Sequence, residues 1–301
     1  VIISRGQLVE IGGAFRMPEV IRKSGAKMME VGTTNKTKIS DYAAAITPKT
    51  AALLAVHTSN YRVLGFTQEV HLDELVKLGR KHNLPVVHDL GGGVLLDLRK
   101  WGLPYEPVVG ESIRAGVSVV TFSGDKVLGG PQCGLIAGEK NWISKIKKNP
   151  LMRALRCDKV TLALLESTLR LFLQPKQLMK THPVWRMLAE KRRVVRARAV
   201  QLQKALAENG GSAFEITLRP SEAEAGSGAL PIEKIPSFAV GLRSRTLSAT
   251  ELAKKFRLAA IPVLGYLRDE YFWLDARTIR DAEIVLVAQM AKQLFATTKT
   301  P

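Results

Sequence analysis

The sequence has few cysteines and no long apolar run, and each shortage excludes a class of protein. Its two cysteines, Cys133 and Cys157, are too few for a disulfide framework and suit a reducing cytoplasm. Neither stands at a metal-ligand spacing from the five histidines, so we expect no metal site. No run of about 18 apolar residues occurs, which argues against a membrane span. No basic and apolar leader follows Val1, so we expect no secretory signal.

Acidic residues are also scarce relative to basic ones. Lys and Arg number 45 against 27 Asp and Glu, which gives a net charge of +18. Between Lys140 and Val200 the sequence has sixteen basic residues and three acids. This excess predicts a polyanionic partner, most simply a nucleic acid, although a solvated face on long helices remains an alternative. RNA-recognition aromatic motifs and zinc fingers are absent, so we expect contact with a nucleic-acid backbone rather than with bases.

Apolar runs typical of strands alternate with helical patterns through the first 140 residues. This alternation predicts an α/β fold with a mostly parallel, doubly wound sheet. Val1 begins within a strand-like run and has no polar lead-in, so we expect further elements upstream of it. The predicted strands are Val1–Ser4, Lys27–Val31, Ala52–His57, Pro85–His88, Val117–Phe122 and Gly134–Ala137, and the predicted helices are Met17–Ser24, Ser40–Ala45, Leu72–His82 and Ile113–Ala115.

The second half of the chain has a different pattern. Residues Leu151–Leu173 and Val184–Asn209 predict two long amphipathic helices. After them comes a strand at Phe214–Leu218, and the later segments predict a β-α-β-β-α order that ends in a helix from Arg280. We therefore expect a large domain over residues 1–183, and a linking helix with a small α/β domain over residues 184–301.

An acid and a lysine follow two of the predicted strands. Asp89 ends the run Leu84–Asp89, and Lys126 comes shortly after Val117–Phe122. Open α/β sheets bind ligands at the carboxyl ends of their strands, so both side chains are expected at one edge. Pyridoxal phosphate chemistry needs a lysine for the Schiff base and a carboxylate that keeps the pyridine nitrogen protonated. The pair therefore indicates a pyridoxal phosphate site.

Neighbouring residues strengthen this interpretation. Glycines stand at positions 91–93, 124, 129, 130 and 134, as expected where the backbone must approach a bulky ligand. Ser123 lies three residues before Lys126, close enough along the chain to bind the cofactor phosphate. On residue types alone, a solvated lysine and a helix-capping aspartate remain the alternative.

Several long blocks of the sequence resemble a known family. The block Ser123-Gly-Asp-Lys-Val-Leu-Gly-Gly-Pro-Gln132 is similar to bacterial selenocysteine synthase, also called L-seryl-tRNA(Sec) selenium transferase. The same resemblance covers Ser4–Arg16, Glu30–Lys36, His57–Tyr61, Met152–Lys159 and Gly226–Pro231, and extends from residue 1 to about residue 290. It implies a fold type I pyridoxal phosphate transferase that assembles as a homodecamer, a pentamer of dimers. It also implies an upstream tRNA-binding region and a phosphate-binding segment, neither of which is in this chain.

The resemblance implies a role for each candidate residue at the cofactor. Lys126 resembles the Schiff-base lysine, whose free amine can then move the substrate α-proton. Asp89 resembles the partner of the pyridine nitrogen. Asp125 resembles an acid implicated in catalysis, and a turn-forming aspartate is an equal alternative. His57 matches a position that lines the cofactor pocket, where it could stack on the ring, and a core histidine is the alternative. His88 should point to the opposite face of the sheet.

Two arginines follow Pro150 and are candidates for substrate binding. Arg153 and Arg156, placed three apart on a predicted helix, should project from one face as an oxyanion clamp. In the family that they resemble, the matching pair binds selenophosphate. Arg277 lies where related enzymes often bind a substrate carboxylate. Because the carboxylate of seryl-tRNA is esterified, that role is weaker here.

The expected reaction is the conversion of seryl-tRNA(Sec) to selenocysteinyl-tRNA(Sec), by β-elimination of the serine hydroxyl and addition of selenium from selenophosphate. Two alternatives stay open. One is a pyridoxal phosphate lyase or transferase that acts on a free small amino acid. The other is a truncated paralogue that binds RNA without catalysis. The first alternative requires a carboxylate-binding arginine such as Arg277, and the second requires no bound cofactor.

Overall fold

The chain folds into two compact units. The computed structural model describes residues 1–13, 15–210, 213–226, 230 and 233–296. The first unit comprises Val1–Trp185 with Ala225–Glu233, and the second comprises Arg186–Glu224 with Lys234–Pro301. The first segment of this unit thus ends two residues after the expected domain boundary at residue 183, whereas its second segment was expected in the other domain. Ala14 and most of the Gly226–Pro231 block lie outside the described residues.

A six-stranded sheet forms the centre of the first unit, in the order β4-β1-β5-β6-β7-β8. Its first five strands pair in parallel and β8 pairs antiparallel with β7, so the expectation of a mostly parallel sheet is confirmed. A separate hairpin joins β2 and β3. The strands of this unit are β1 (Ile2–Ser4), β2 (Glu10–Ile11), β3 (Phe15–Arg16), β4 (Met29–Val31), β5 (Leu53–Val56), β6 (Val86–Gly91), β7 (Val119–Ser123) and β8 (Gly134–Gly138).

Helices cover both faces of this sheet because successive strand residues are apolar and point in opposite directions. Ile2 and Leu53 pack into one core cluster, while their neighbours Ile3 and Leu54 pack into another. The helices from Met17 to Ala189 are α1 (Met17–Lys23), α2 (Ile39–Ala45), α3 (Leu72–Lys81), α4 (Val109–Ala115), α5 (Lys140–Lys147), α6 (Leu151–Ala154), α7 (Lys159–Leu171), α8 (Leu178–Thr181) and α9 (Pro183–Ala189).

The prediction of one long helix over Leu151–Leu173 is wrong. Helix α6 ends at Ala154, and α7 begins only after Asp158. The Asp158 carboxylate accepts a hydrogen bond from Thr161 N at 2.8 Å, which caps α7 and fixes its start. Local capping chemistry therefore interrupts the amphipathic pattern.

The predicted helix Val184–Asn209 is also divided, into α9 and α10 (Arg192–Gly210). The break falls at Glu190, whose carbonyl oxygen accepts from Arg277 Nη1 at 3.0 Å. The carboxylate of Glu190 binds Arg198, with 2.6 Å between Oε2 and Nη1. Since tertiary partners hold both polar groups of Glu190, they favour a turn there over a continuous helix.

The second unit contains a four-stranded antiparallel sheet in the order β11-β12-β10-β9. Its core joins one face of this sheet to residues of the helices, such as Leu202, Phe256 and Met290. The small α/β region expected after residue 184 is thereby confirmed as a fold. Its further elements are β9 (Phe214–Ala223), β10 (Ile235–Ser244), α11 (Ala249–Arg257), β11 (Tyr266–Arg268), β12 (Tyr271–Asp275) and α12 (Ile284–Ala296).

Candidate active site

The fold brings Asp89 and Lys126 to the same edge of the parallel sheet. Asp89 lies in β6, opposite Thr121 of β7, and Lys126 lies in the turn that follows β7. The Lys126 Nζ atom is 3.9 Å from the point where a Cβ on Gly91 would stand. Gly91 is two residues beyond Asp89 at the end of the same strand. The two strands thus place the amine beside the strand end that carries the carboxylate.

Thr121 orients the Asp89 carboxylate. Its hydroxyl Oγ1 donates a hydrogen bond of 2.7 Å to Asp89 Oδ1. This bond follows from the register, in which the two residues face each other across β6 and β7. It leaves the second carboxylate oxygen of Asp89 for another partner. The sequence analysis did not find Thr121, because no local pattern links it to an acid 32 residues earlier.

The segment after β6 approaches β7 closely and does so without side chains. Gly91 and Gly93 have φ angles of +65° and +69°, in the left-handed region that favours glycine. A Cβ on Gly93 would stand only 2.4 Å from the carbonyl oxygen of Ser123. Ser123, the last residue of β7, is half-buried beside this segment. The glycines are therefore required by packing, and Ser123 lies at the edge where Lys126 also lies.

The turn that carries Lys126 is held by two buried side chains from later in the chain. Trp185 Nε1 donates to the carbonyl oxygen of Val127 at 3.1 Å. His182 Nε2 donates to the carbonyl oxygen of Leu128 at 2.9 Å. Both carbonyls follow Lys126 directly, so these bonds restrict the backbone that positions its amine.

His57 has a buried acidic partner that the sequence analysis missed. Its backbone N donates to the carbonyl oxygen of Asp89 at 2.8 Å, and its Nε2 donates to Glu106 Oε2 at 2.9 Å. The Glu106 side chain is 2% exposed, and its Oε1 accepts from Leu230 N at 3.2 Å. The only local signal for Glu106 was a lone acid between Pro104 and Pro107. This contact fixes the position and tautomer of the His57 ring.

His88, although next to Asp89, belongs to a different environment. It is buried, and its Nδ1 lies 3.0 Å from the hydroxyl of Ser112 in α4. Burial, and secondarily the proximity of His57, lowers the pKa of His88 to about 4. The ring is therefore neutral over the physiological pH range.

Asp125 is exposed and directly precedes Lys126. Its carboxylate is close enough to Cys133 to contribute, after burial and Cys157, to a raised pKa of the Cys133 thiol. Cys133 packs against the same turn, since a Cβ on Gly124 would stand 2.6 Å from its Sγ. Asp125 thus has solvent access beside the candidate lysine.

Arg153 and Arg156 do not share one helix face, so that prediction is wrong. Helix α6 ends at Ala154, and Leu155 leaves the helical conformation with φ −95° and ψ +4°. Arg156 therefore lies in the connection before α7, where Asp158 begins the next helix. Both arginines are exposed, and neither forms an ion pair with any residue that the structure describes. Their guanidinium groups are available to an external anion.

Arg277 is a structural residue in the second unit. It is 4% exposed, and its guanidinium donates to the carbonyl oxygens of Met187, Glu190 and Pro236 at 2.9, 3.0 and 2.6 Å. Burial lowers the pKa of Arg277 from its usual value. Three carbonyl partners occupy the donors that a substrate carboxylate would need.

Within the described ranges, no three His, Cys, Asp or Glu side chains form a group that could hold a metal ion. No helix in this part of the chain has both the length and the apolar composition to cross a bilayer.

Comparison with known proteins identifies the fold and the family. The structure of D-glucosaminate-6-phosphate ammonia-lyase matches the whole chain and 72% of its own length, with a TM-score of 0.60 and 20% sequence identity. The likeness shows a shared α/β fold. The profile of the SelA family, L-seryl-tRNA selenium transferase, matches residues 1–280. The chain belongs to this family.

Two curated relatives show the extent of the match. The L-seryl-tRNA(Sec) selenium transferase of Alkaliphilus metalliredigens is 47% identical over 292 residues, which cover 97% of this chain and 62% of the relative. The protein of the same name from Nitratidesulfovibrio vulgaris is 50% identical over 297 residues, with the same two coverages. The chain thus spans less than two thirds of the length of these relatives.

Proposed function

We propose that this chain carries the active site of a pyridoxal phosphate-dependent enzyme that converts seryl-tRNA(Sec) to selenocysteinyl-tRNA(Sec) with selenophosphate. One observation carries the proposal: Lys126 Nζ lies beside Gly91, the last residue of β6, which is two residues beyond Asp89 and has no side chain. Family membership supports the choice of substrate.

The residues at this edge fit the cofactor. Lys126 supplies an amine, Asp89 supplies a carboxylate with one oxygen bound by Thr121, and the bare Cα of Gly91 leaves space beside the amine that a Cβ would fill. Pyridoxal phosphate, when bound, withdraws electrons from the substrate Cα, so that the α-proton and then the β-hydroxyl can leave. Lys126 would hold the cofactor through its aldehyde carbon, and Asp89 would hold it through its ring nitrogen.

Each neighbouring residue has a task in this scheme. With the cofactor bound, the free amine of Lys126 would take the α-proton of the seryl group. The serine hydroxyl would leave as water with the proton that Lys126 has taken up, and Asp125, exposed next to the lysine, would assist its departure. His57, held by Glu106, would pack beside the cofactor, and Ser123 would bind its phosphate. These roles are part of the proposal.

Arg153 and Arg156 would hold the selenium donor. Selenophosphate is a small oxyanion, and guanidinium groups bind such groups through two parallel hydrogen bonds. The exposure of both arginines and their lack of acidic partners in the described chain support this assignment. A shared helix face does not contribute to it.

We also propose that the protein acts as a homo-oligomer, a decamer built from dimers. Each of the 13 described residues of α7 retains solvent exposure, and three apolar side chains stand out: Val160, Leu162 and Leu164 are 69%, 52% and 54% exposed. Val160 and Leu164 are one turn apart on the same face of the helix, and exposed apolar side chains of this kind are typical of a surface that a partner subunit covers. A second copy of this chain is the occupant that we propose.

The tRNA would contact the basic segment that begins at Lys140. All seven of its basic residues from Lys140 to Lys159 are exposed in the first unit. Arg198 is not part of this surface, because it is buried between Glu190 and Asp281 in the second unit. Since aminoacyl-tRNA is the proposed substrate, we place the protein in the cytoplasm.

The test is turnover of serine-charged tRNA with selenophosphate. It should be run on this chain and on a version extended to the length of the relatives, with visible absorbance of the cofactor as a second readout. Lys126→Ala should abolish both the absorbance band and turnover, whereas Lys49→Ala, at an exposed loop lysine with no proposed role, should preserve both. Conversion of free serine but never of charged tRNA would instead favour an amino-acid lyase. A chain that binds RNA and no cofactor would favour a non-catalytic paralogue.

A further inference from the structure

Ser59 has a buried hydroxyl without a partner. It follows His57 and Thr58 after β5, and its backbone N donates to the carbonyl oxygen of His57 at 2.9 Å. The residue is 1% exposed, and its Oγ forms no hydrogen bond with any part of the chain that the structure describes. A buried hydroxyl without a partner destabilises a protein, so such groups are uncommon and call for an explanation.

The position of this hydroxyl supplies one. A Cβ placed on Gly91 would stand 3.2 Å from Ser59 Oγ and 3.9 Å from Lys126 Nζ. The hydroxyl and the amine therefore converge on one point, above the bare Cα of Gly91. Its φ of +65° also makes any side chain there strained. A ligand that reacts with the lysine would come within reach of the hydroxyl.

We propose that Ser59 is a cofactor-binding residue whose Oγ donates a hydrogen bond to the phenolic oxygen of bound pyridoxal phosphate. This inference rests on the proposed function. In the cofactor the phenolic oxygen is on one ring carbon next to the one that bears the aldehyde, within reach of a donor beside the lysine. The other neighbouring carbon carries the phosphate arm, for which Ser123 is the proposed ligand. The hydroxyl of Thr121, which lies at the same edge, already donates its hydrogen bond to Asp89.

The bond has a consequence that spectroscopy can measure. A donor to an oxygen stabilises its anionic form, and loss of the donor raises the pKa of the group. In Ser59→Ala, the pH midpoint of the visible band that depends on Lys126 should therefore rise, by about one unit. Cofactor affinity should change less, because Lys126 and Asp89 remain.

Stability without cofactor gives an independent readout. Because Ser59 Oγ has no partner to lose among the described residues, Ser59→Ala should leave the Tm of the cofactor-free chain unchanged or slightly higher. Ser112→Ala is the matched control. Ser112 is 2% exposed, and its Oγ lies 3.0 Å from His88 Nδ1, so its loss should lower Tm by a few degrees and leave the band unshifted.

Three results would overturn the inference. The first is a Tm loss in cofactor-free Ser59→Ala as large as that in Ser112→Ala, which would indicate a structural role. The second is an unshifted pH midpoint. The third is weaker binding of pyridoxal phosphate, but not of pyridoxal, with the midpoint unchanged, which would assign the hydroxyl to the phosphate. If the unmodified chain itself lacks a band that depends on Lys126, the proposed function fails together with this inference.

Discussion

Two pairs of arginines differ in how many acceptors the folded chain offers to their guanidinium groups. In the second unit, Arg198 and Arg277 are 3% and 4% exposed, and both donate to several acceptors. In the first unit, Arg153 and Arg156 are exposed and have no acidic partner in the described chain. Sequence alone made three of these four residues candidates for substrate binding. The number of acceptors already engaged, rather than the residue type, distinguishes the pairs.

The largest effect on stability is expected from a substitution of Arg198. Its guanidinium forms a bidentate pair with Glu190, at 2.6 and 2.8 Å, and also donates to Asp281 Oδ1 and to the carbonyl oxygen of Ala276. The Glu190 hydrogen bonds are the main reason why the pKa of Arg198 is raised above its usual value. Arg198→Met should lower the free energy of unfolding by about 3–5 kcal/mol, because it leaves Glu190 poorly solvated and unpaired.

Urea unfolding of the purified chain measures this loss. Removing both charges, with Glu190→Gln added to Arg198→Met, should recover part of the stability. A double variant that is less stable than Arg198→Met would contradict the explanation by an unpaired buried charge.

Arg277→Met should have the next largest effect. The three carbonyl oxygens of Met187, Glu190 and Pro236 would lose their donor, which should cost about 2–3 kcal/mol of unfolding free energy. The unpartnered Nε of Arg277 adds nothing to this sum. In the extended protein, KM for charged tRNA should stay within about twofold of the unmodified value. A large rise in KM with unchanged stability would restore Arg277 as a substrate ligand.

Arg277 also illustrates what the sequence could predict and what it could not. The strands of the six-stranded sheet, and the edge that carries Asp89 and Lys126, followed from apolar runs and from the position of residues at strand ends, whereas the short hairpin of β2 and β3 was not predicted. The acceptors of Arg277 lie 41 to 90 residues away in the chain, so only the folded structure identifies them. Glu106 was missed for the same reason, since its partner His57 is 49 residues earlier.

Helix continuity was the other failure. An amphipathic pattern reports which side chains are apolar, and it continues across Leu155 and Glu190 although the helices do not. The breaks depend on a cap at Asp158 and on the tertiary partners of Glu190. The periodicity of apolar residues therefore predicted where the helical region begins and ends, but it did not predict where the helices are interrupted.

For the exposed pair, the expected effect is on activity alone. In the extended protein, Arg153→Ala and Arg156→Ala should each reduce kcat/KM for selenophosphate by about 10- to 100-fold, since each removes charge-assisted hydrogen bonds to the donor. Lysine should rescue only in part, because it cannot bind through two parallel hydrogen bonds. Tm should not change. Saturation with selenophosphate at fixed charged tRNA separates an effect on donor binding from one on tRNA.

The smallest effect is expected at Arg170. This arginine tests the comparison because it is exposed but has an acidic partner. Its guanidinium binds Glu166 one turn earlier in α7, with 2.6 Å between Nη2 and Oε1, and the two side chains are 70% and 64% exposed. Pairs of this kind contribute about 0.3–0.5 kcal/mol and weaken with salt. Arg170→Ala should therefore lower the free energy of unfolding by no more than this contribution. The difference should disappear at about 1 M salt. Its kcat/KM for selenophosphate should equal that of the unmodified enzyme. A loss of about 10-fold in kcat/KM would equal the lower limit expected for Arg153→Ala. It would mean that exposure and charge determine which arginines bind the donor, and that the absence of an acidic partner does not.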